Sequence, residues 1–329
     1  MDIRSIREYL GQDWTAVQER ITSSLQSDIE LLNVTNGSIL SNSGKQMRPA
    51  LSLLMARACS GGGKLSEDAT VRYAAAAELL HNATLLHDDV ADESDQRRGV
   101  PTVMSLMGPS VSVLVGDYWL VKAMELILGS SESDHKVIKI FSKTLSDLAE
   151  GEMLQLQKAQ SGDTDEKDYL RIIYNKTASL FEAACVSAAV SVSAAPDYEQ
   201  ASRKYAVALG IAFQIKDDIL DYAGTDSVGK PLGVDILEQK ITMPLLGAFR
   251  NAGEAEEERV RGMVRDIVDH PEYRDEIVGF VKANGGLDYA VERLEAYVDD
   301  AVRALSVLPE SEEKKMLVEL AYFTARRMF

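Results

Sequence analysis

Two short segments of the sequence repeat the pattern Asp-Asp-x-x-Asp: DDVAD begins at Asp88 and DDILD begins at Asp217. Residues four apart lie on one face of a helix, so Asp88 pairs with Asp92 and Asp217 pairs with Asp221. Like charges at this spacing repel each other, so local folding energetics disfavour both clusters. Paired carboxylates are natural ligands for magnesium, which often shares its coordination sphere with substrate phosphates. The two clusters therefore indicate a site where metal ions hold a polyphosphate.

A solvated acidic helix end is a sufficient interpretation of one such cluster. Here each cluster follows an apolar run that should be buried, residues 83–86 before the first and residues 211–215 before the second. The repetition, together with burial beside each cluster, favours the metal-binding interpretation over the structural one.

Basic side chains occur where a bound diphosphate would need them. Lys45 and Arg48 lie in the segment GKQMRP, and Arg97 and Arg98 follow the first cluster. Arginine binds phosphate oxygens in a bidentate way, whereas lysine acts as a point charge. Taken one at a time, these residues are equally well explained as solvated surface charges. Three further lysines complete the candidate set: Lys176, Lys230 and Lys240.

Two histidines precede the first cluster. His81 lies seven residues before Asp88, hence on the same helix face two turns earlier, where it could donate a hydrogen bond to a second phosphate group. A lone histidine on an apolar helix is more often a satisfied core residue, and that alternative stays open for His81. His87 adjoins Asp88, and we interpret it as structural.

The composition limits the function classes. The chain has 329 residues, of which 46% are hydrophobic, and its formal net charge is −17. Such an acidic chain is a poor candidate for non-specific binding to nucleic acids, which depends on basic patches. Cys59 and Cys185 are far apart in sequence and near no histidine cluster, so neither a zinc site nor a disulfide framework is expected. With a charged N-terminal segment and no long apolar run, we expect a cytoplasmic protein without membrane spans.

The elements that must position these residues are helices. Apolar residues recur at spacings of three and four, as in Ile211 and Ile215, and alternating strand patterns are scarce. We therefore predict an all-α fold with ten or more helices and no sheet, including helices near 13–31 and 235–250. No linker or composition break divides the chain, so we predict one domain over residues 1–329.

Taken together and in order, these segments resemble the trans-isoprenyl (polyprenyl) diphosphate synthase family, in particular its medium- and long-chain members. The resemblance covers nearly the whole chain and rests on GKQMRP from Gly44, HNATLLHDDVADESDQRRG from His81, GEMLQL from Gly151, the pair Lys176-Thr177, QIKDDILD from Gln214, and GKP through KITMP from Gly229. One Asp-Asp-x-x-Asp segment is weak evidence, whereas the ordered set is highly specific. It implies a single-domain helical bundle around a deep central cavity, assembled as a homodimer.

The resemblance implies a magnesium-dependent prenyltransferase that condenses isopentenyl diphosphate head to tail with an allylic diphosphate. Three Mg²⁺ ions are expected, bridged through the substrate diphosphate. The allylic diphosphate leaves, the isopentenyl double bond attacks the resulting cation, and the departed diphosphate takes the proton. Water must be excluded because it would quench the cation.

The resemblance also assigns roles to residues. Magnesium would be held by Asp88, Asp92 and Asp217, supported by Asp89, Asp218 and Asp221. The allylic diphosphate would be bound by Arg97, Lys176 and Lys240, and isopentenyl diphosphate by Lys45, Arg48, His81 and Arg98. Thr177 and Gln214 would direct oxygen dipoles at the allylic cation, and Lys230 would help to close a loop over the phosphates.

Two positions depart from the family's pattern. Gln239 stands before Lys240 where glycine is usual, and Asn82 stands where threonine is common. Glutamine lacks the backbone freedom of glycine, so this substitution bears on the geometry of Lys240. Neither change removes a charge that catalysis needs.

The residues that set product length are also suggested by the resemblance. In the family, the residue five before the first aspartate acts as a floor; here it is Ala83, with Thr84 beside it. A small floor predicts a product longer than fifteen carbons. Trp119, on a neighbouring helix, is large enough to form a second floor and shorten the product.

Two other functions remain open at this point. A class I terpene cyclase also uses an Asp-Asp-x-x-Asp helix and magnesium, but it binds a single diphosphate. Such an enzyme would have no obvious role for four basic residues: Lys45, Arg48, His81 and Arg98. A non-catalytic subunit of a heteromeric synthase is the second alternative, although such subunits typically lose the aspartate motifs.

Overall fold

The computed structural model describes residues 3–42, 44–62, 65, 68–97, 99–129, 131–223 and 233–326, and its regular structure is almost entirely helical. The prediction of an all-α fold is confirmed. The helices are α1 (Ile3–Leu10), α2 (Gln12–Ser24), α3 (Glu30–Ser41), α4 (Met47–Cys59), α5 (Asp68–Ala91), α6 (Val103–Met107), α7 (Pro109–Ile127), α8 (Asp134–Ser161), α9 (Glu166–Ile173), α10 (Ser179–Ser191), α11 (Pro196–Ala223), α12 (Val234–Leu237), α13 (Met243–Asn251), α14 (Glu254–Arg265), α15 (Tyr273–Ala283), α16 (Gly286–Ala304) and α17 (Glu312–Arg326).

Three short elements complete the list. A π-helical turn (Tyr174–Ala178) joins α9 to α10, and a 3₁₀ turn (Leu305–Val307) follows α16. The strands β1 (Gln96–Arg97) and β2 (Val100–Pro101) form an antiparallel hairpin. The prediction of no sheet was therefore wrong at this hairpin, which is too short to show an alternating pattern.

The residues cluster into two compact units, each built from several parts of the chain. Unit 1 comprises Met1–Ser142, Ala183–Ser202 and Val307–Leu317, and unit 2 comprises Lys143–Glu182, Arg203–Ser306 and Val318–Phe329. One domain over residues 1–329 stays a prediction.

Helix α5 is the core helix of unit 1. Every residue from Arg72 to Leu80 on α5 is buried, so the helix has no solvent-facing stripe along this stretch, as expected of a helix packed on all sides. Helix α7 approaches it closely at Gly116, where an added Cβ would lie 2.4 Å from His87 Nε2. This packing fixes the C-terminal end of α5, which carries the first aspartate cluster.

Arg72 ties α5 to the end of α7 and to the start of α8. Its guanidinium donates to the carbonyls of Leu126 (2.7 Å) and Ile127 (3.1 Å), which are the acceptors that a helix C-terminus leaves unpaired. It also donates to Asp134 (3.1 Å), whose other carboxylate oxygen accepts from the Gly129 amide (2.7 Å). The ends of three helices are thereby held at one point of unit 1.

In unit 2, glycines let two helices approach the π-helical turn. A Cβ at Gly151 of α8 would lie 2.7 Å from Asn175 Cβ, and a Cβ at Gly210 of α11 would lie 2.6 Å from Ala178 Cα. A π-helical turn inside a longer helix frequently marks a functional site. Here it carries Lys176, the lysine that the sequence placed on the allylic diphosphate.

The expected helix over 235–250 is interrupted, so that prediction was wrong in its middle. The chain forms α12, leaves the helix at Gln239 (φ 57°), and enters α13 from Thr242, whose backbone is extended. Pro244 then occupies the first turn of α13, where its missing amide hydrogen costs nothing. The predicted helix 13–31 likewise ends early, because α2 stops at Ser24.

Candidate active site

A cavity of about 140 Å³ in unit 2 collects most, but not all, of the residues expected to act on the allylic substrate; Arg97 lies in unit 1. Lys176, Thr177, Gln214, Asp218 and Lys240 all line it. They come from the π-helical turn, from α11 and from the segment between α12 and α13. The fold thus brings together residues that are far apart in the sequence.

Asp218 lies at the end of a chain of hydrogen bonds in this cavity. Gln214 Nε2 donates to Asp218 Oδ1 (3.1 Å), and Thr177 Oγ1 donates to Gln214 Oε1 (3.0 Å). The hydroxyl of Tyr169 donates to Asp218 Oδ2 (2.5 Å). Burial and the nearby Asp235 raise the pKa of Asp218 to about 8, although the bonds from Tyr169 and Gln214 act in the opposite direction.

Asp221 anchors the segment that follows the second cluster. Its Oδ1 accepts from the amide of Val234 (3.0 Å) and its Oδ2 from the amide of Asp235 (3.2 Å). Its backbone carbonyl accepts from the amide of Gly233 (2.9 Å). Burial raises the pKa of Asp221, and the two amide hydrogen bonds partly offset that shift. Asp217, directly before Asp218 and half-buried on α11, completes the cluster.

Two lysines of the cavity are held by acidic or amide side chains. Lys176 Nζ lies 2.7 Å from Glu152 Oε1 and donates to Gln155 Oε1 (2.9 Å), both from the GEMLQL segment on α8. Lys240 Nζ pairs with Glu238 and lies 3.9 Å from Asp235 Oδ1. The GEMLQL segment therefore places a cation at the cavity wall.

Gln239 takes the backbone shape that glycine would adopt more easily. Its φ of 57° is left-handed, a conformation that costs free energy for any residue with a Cβ. Its side chain donates to the carbonyl of Arg265 (2.7 Å), which holds the segment in place. The departure from the family's pattern therefore leaves Lys240 on the cavity wall.

Sequence reasoning missed two residues of this cavity, Tyr169 and Asp235. Tyr169 gave no usable signal in the sequence, because its partner Asp218 lies 49 positions away. Asp235 was signalled only by an acid inside the apolar run Val-Asp-Ile-Leu. Burial raises the pKa of Asp235 to about 6, against the opposing effect of Lys240.

The first aspartate cluster lies at the C-terminal end of α5 in unit 1. Asp88 is half-buried on α5, and Asp92 is exposed just beyond the end of the helix. Asp89 is buried and accepts a hydrogen bond from Arg97 Nε (2.8 Å). The β1–β2 hairpin thus returns the chain so that Arg97 reaches the cluster. Arg98 lies outside the described residues.

The basic segment before α4 is held by the first helix of the chain. Arg7 of α1 donates to the carbonyls of Lys45 (2.8 Å) and Gly44 (3.3 Å). The side chain of Lys45 is exposed and that of Arg48, in the first turn of α4, is half-buried. His81, also half-buried, lies two turns before Asp88 on α5, as its spacing predicted.

His87 has structural partners, in line with its interpretation. Its Nε2 lies 3.2 Å from Asp117 Oδ1 and 3.4 Å from the carbonyl of Val113, both on α7. Asn82 donates to the carbonyl of Glu78 one turn earlier (2.8 Å), so the second departure from the family's pattern is absorbed within α5.

The three residues expected to set product length all lie in unit 1. Ala83 is buried, and its carbonyl oxygen would lie 3.3 Å from a Cβ at Gly116 of α7. Thr84 donates to the carbonyl of His81 (2.8 Å). Trp119 of α7 is fully buried and donates to Asn36 Oδ1 (2.7 Å). The indole is therefore fixed in place.

Lys230 lies outside the described residues, as does the rest of the loop 224–232. Within the part of the chain that the structure describes, no three acidic, histidine or cysteine side chains are arranged to hold a metal ion by themselves. The aspartate motifs offer only carboxylate oxygens, the donor type that magnesium prefers, and so they fit that ion.

Among the described residues, no helix has the length and apolar character needed to cross a membrane.

Comparison with known proteins identifies the family. Residues 30–279 match the model of the polyprenyl synthetase family. The chain is 38% identical over 331 residues to octaprenyl diphosphate synthase of Escherichia coli strain K12, covering 99% of each. A decaprenyl diphosphate synthase from Rhodobacter capsulatus has a similar structure, with a TM-score of 0.90 and 35% identity, covering 99% of each chain. A polyprenyl synthase from Caulobacter crescentus CB15, solved with calcium and isoprenyl diphosphate, has a TM-score of 0.89 at 33% identity, covering 100% of this chain and 98% of that one.

The fold and the cavity are those of an all-α prenyltransferase. The chain belongs to the polyprenyl synthetase family, whose members are magnesium-dependent and join isopentenyl diphosphate to an allylic diphosphate. It is accordingly an enzyme of polyprenyl diphosphate synthesis, and the predictions of family and enzyme class are confirmed.

Proposed function

We propose that the chain elongates an allylic diphosphate with successive isopentenyl diphosphate units to an all-trans product of about eight to ten units. One observation carries the proposal: a single cavity joins the lysines expected on the diphosphate, Lys176 and Lys240, to the oxygen groups expected on the cation, Thr177 and Gln214. The product length follows the octaprenyl and decaprenyl synthases to which the chain is similar.

The basic residues divide between the two substrates. Arg97, Lys176 and Lys240 bind the allylic diphosphate, and Lys45, Arg48, His81 and Arg98 bind isopentenyl diphosphate. Lys176 and Lys240 exchange their acidic partners for phosphate oxygens when substrate enters, since those partners only hold the amines at the cavity wall.

Negative charge develops on the diphosphate as it leaves, so this step needs positive charge nearby. Preorganised cations aimed at developing negative charge are usually the largest single contribution to catalysis. Magnesium, when bound, supplies further positive charge that stabilises the leaving group. We propose three ions, bridged through the substrate diphosphate and held by Asp88, Asp92 and Asp217, with Asp89, Asp218 and Asp221 in support.

Oxygen atoms of the cavity stabilise the carbocation that remains. Thr177 and Gln214 line the same cavity as Lys176 and meet in a hydrogen bond of 3.0 Å. The isopentenyl double bond attacks this cation, and the departed diphosphate accepts the proton. No side chain of the chain is assigned as the base.

Product length is proposed to depend on the buried wall of unit 1. Ala83 and Thr84 form a small floor, and Trp119, locked by Asn36, forms a fixed second wall. Replacing Ala83 with phenylalanine should shorten the products by several units, because the larger ring blocks the growing chain. Chromatographic sizing of the products measures this, with Thr70→Ser as a matched control on α5. Products of unchanged length would contradict the assignment of Ala83.

We also propose a homodimer in the cytoplasm. Helix α7 turns Trp119 and Ala123 inward but leaves Leu114 and Val121 67% and 54% exposed, and Leu128, directly after its last residue, is 58% exposed. These three apolar residues recur every seven positions and form one stripe, the α7 stripe, along the helix and its C-terminal end. A second copy of the same stripe would cover it by two-fold packing.

The cytoplasmic location is supported by the two cysteines, which are buried and form no disulfide.

The function is tested by incubating the protein with Mg²⁺, isopentenyl diphosphate and, separately, dimethylallyl, geranyl and farnesyl diphosphates. Mass spectrometry should show a ladder that ends at one dominant long product. Cyclic hydrocarbons made without isopentenyl diphosphate would overturn the proposal in favour of a terpene cyclase. Diphosphate binding without turnover would instead indicate a non-catalytic subunit.

A further inference from the structure

The hydrogen bonds around Asp218 all run in one direction. Thr177 donates to Gln214, and Gln214 donates to Asp218, at 3.0 and 3.1 Å. Tyr169 donates to the other oxygen of Asp218 at 2.5 Å. In its ionised form Asp218 accepts and does not donate, so it is then the end at which both sets of donors meet.

This direction decides which atom Thr177 presents to the cavity. Because Gln214 Nε2 is drawn to Asp218, its Oε1 faces Thr177. Thr177 has one hydroxyl proton and donates it to that oxygen, so its lone pairs are left for the cavity. An amide turned the other way would offer N–H to Thr177, whose hydroxyl proton would then point into the cavity.

The two orientations have opposite effects on a carbocation. Oxygen lone pairs stabilise a neighbouring positive charge, whereas the positive end of an O–H dipole repels it. A buried network is worth more when every member is satisfied, since each bond holds the next in place. The orientation of the Gln214 amide therefore matters for the rate of ionisation.

Tyr169 holds the Thr177–Gln214 pair in place indirectly, through its hydrogen bond to Asp218. It lies on α9, is 3% exposed, and reaches Asp218 across 49 positions of sequence. Without its hydroxyl, the carboxylate of Asp218 would be held on one side only and could rotate. The amide of Gln214 would then lose the fixed acceptor that sets its orientation.

We propose that Tyr169 is a positioning residue: by anchoring Asp218 it fixes the direction of the Thr177–Gln214 chain, so that Thr177 presents lone pairs to the allylic cation. The proposal rests on the proposed function for its kinetic consequence. The hydrogen-bond chain itself does not depend on that function, and its contribution to stability can be measured in the metal-free protein.

The first test is Tyr169→Phe. We expect kcat to fall about tenfold, as for loss of a hydrogen bond to a charged group, with both KM values within about twofold. The Mg²⁺ concentration for half-maximal rate should also stay within about twofold. Tyr289→Phe is the matched control, because Tyr289 donates to Glu166 (2.7 Å) in the same unit but outside the cavity. An equal fall in kcat for both variants, or a shifted Mg²⁺ dependence in place of the kcat effect, would overturn the proposal.

A double-variant cycle separates positioning from a general structural effect. Tyr169 and Thr177 share no direct hydrogen bond, so independent effects would multiply. If Tyr169 acts through the chain, Thr177→Val should cost several-fold less in kcat in the Tyr169→Phe background than in the wild-type protein. Independent, multiplying effects would contradict the proposal.

The same cycle in metal-free protein needs no turnover. In urea denaturation with EDTA at a pH above 8, where Asp218 is ionised, the two substitutions should lower the midpoint by less together than the sum of their single effects. Additive shifts of the urea midpoint would overturn the proposed role of the hydrogen-bond chain. A wild-type protein that does not elongate the allylic diphosphate would overturn only the proposed function. If Tyr169→Phe does not fold, Asp218→Asn replaces one acceptor oxygen at constant volume, and kcat should fall with both KM values retained. A wild-type kcat in that variant would overturn the proposal.

Discussion

At the scale of single residues, folding removes two carboxyl groups of unit 2 from bulk water: Asp218 is 1% exposed, and the side chain of Asp235 is 26% exposed. The pKa of Asp218 is raised from 3.8 to about 8, chiefly by burial, and that of Asp235 to about 6. Between pH 4 and 8 the folded protein therefore keeps protons that the unfolded chain releases. The free energy of unfolding should fall as pH rises through this window, and below pH 4 the penalty should vanish.

Chemical denaturation of the metal-free protein at pH 5 and pH 8 measures this dependence. The net charge of −17 gives the whole chain a similar trend through self-repulsion, so a control is needed. Asp218→Asn cannot ionise, and it should flatten the dependence on pH relative to the wild-type protein. Identical slopes for the two proteins would refute the buried-carboxyl account.

The residues differ in how far the sequence could predict them. The aspartates of each cluster are only four residues apart, so the helical period alone predicts that they share a helix face. This holds for Asp88 with Asp92 and for Asp217 with Asp221. The bond from Tyr169 to Asp218 spans 49 positions, and its existence depends on how α9 packs on α11. Periodicity carries no information about such a packing contact, and so Tyr169 was missed.

At the scale of elements, long helices with strong apolar spacing were predictable, and short or interrupted ones were not. Helix α3 contains Asn33, Asn36 and Gly37, which are poor helix formers, so packing in unit 1 must stabilise it. The break between α12 and α13 is set by the left-handed Gln239 and by the extended backbone of Thr242. Both are tertiary effects that override local preference.

The contact between α11 and the π-helical turn gives a prediction at this scale. A Cβ at Gly210 would lie 2.6 Å from Ala178 Cα, which is backbone and cannot turn away. Gly210→Ala should therefore destabilise the protein by about 1–3 kcal/mol and lower kcat, because the turn carries Lys176 and Thr177. Thermal denaturation and steady-state kinetics measure the two effects.

A matched control is available on α15. Gly279 is exposed, and an added Cβ would meet no atom within 4 Å. Gly279→Ala should stabilise the protein by about 0.5–1 kcal/mol through helix propensity alone, with kcat unchanged. If Gly210→Ala were as well tolerated as Gly279→Ala, close packing at the π-helical turn would not be what positions the two residues.

At the scale of the whole molecule, an acidic chain that leaves an apolar stripe on one helix should associate through that stripe. Leu114, Val121 and Leu128 of the α7 stripe are each more than half exposed. In a two-fold interface both subunits contribute the same residue, so one carboxylate introduced per chain puts two like charges into an apolar contact. Leu114→Glu should therefore shift the protein from dimer to monomer.

Sedimentation velocity of the wild-type protein and the variant measures this shift. Val268→Glu is the matched control, since Val268 is 69% exposed but lies outside the α7 stripe. We expect Val268→Glu to sediment as the wild-type protein does and Leu114→Glu to sediment at half that mass. With a charge of −17 on each chain, raising the salt concentration should screen repulsion between subunits and partly restore the Leu114→Glu dimer. A dimer that survives Leu114→Glu at low salt would place the interface elsewhere, because an uncompensated pair of carboxylates buried in an apolar contact costs several kcal/mol.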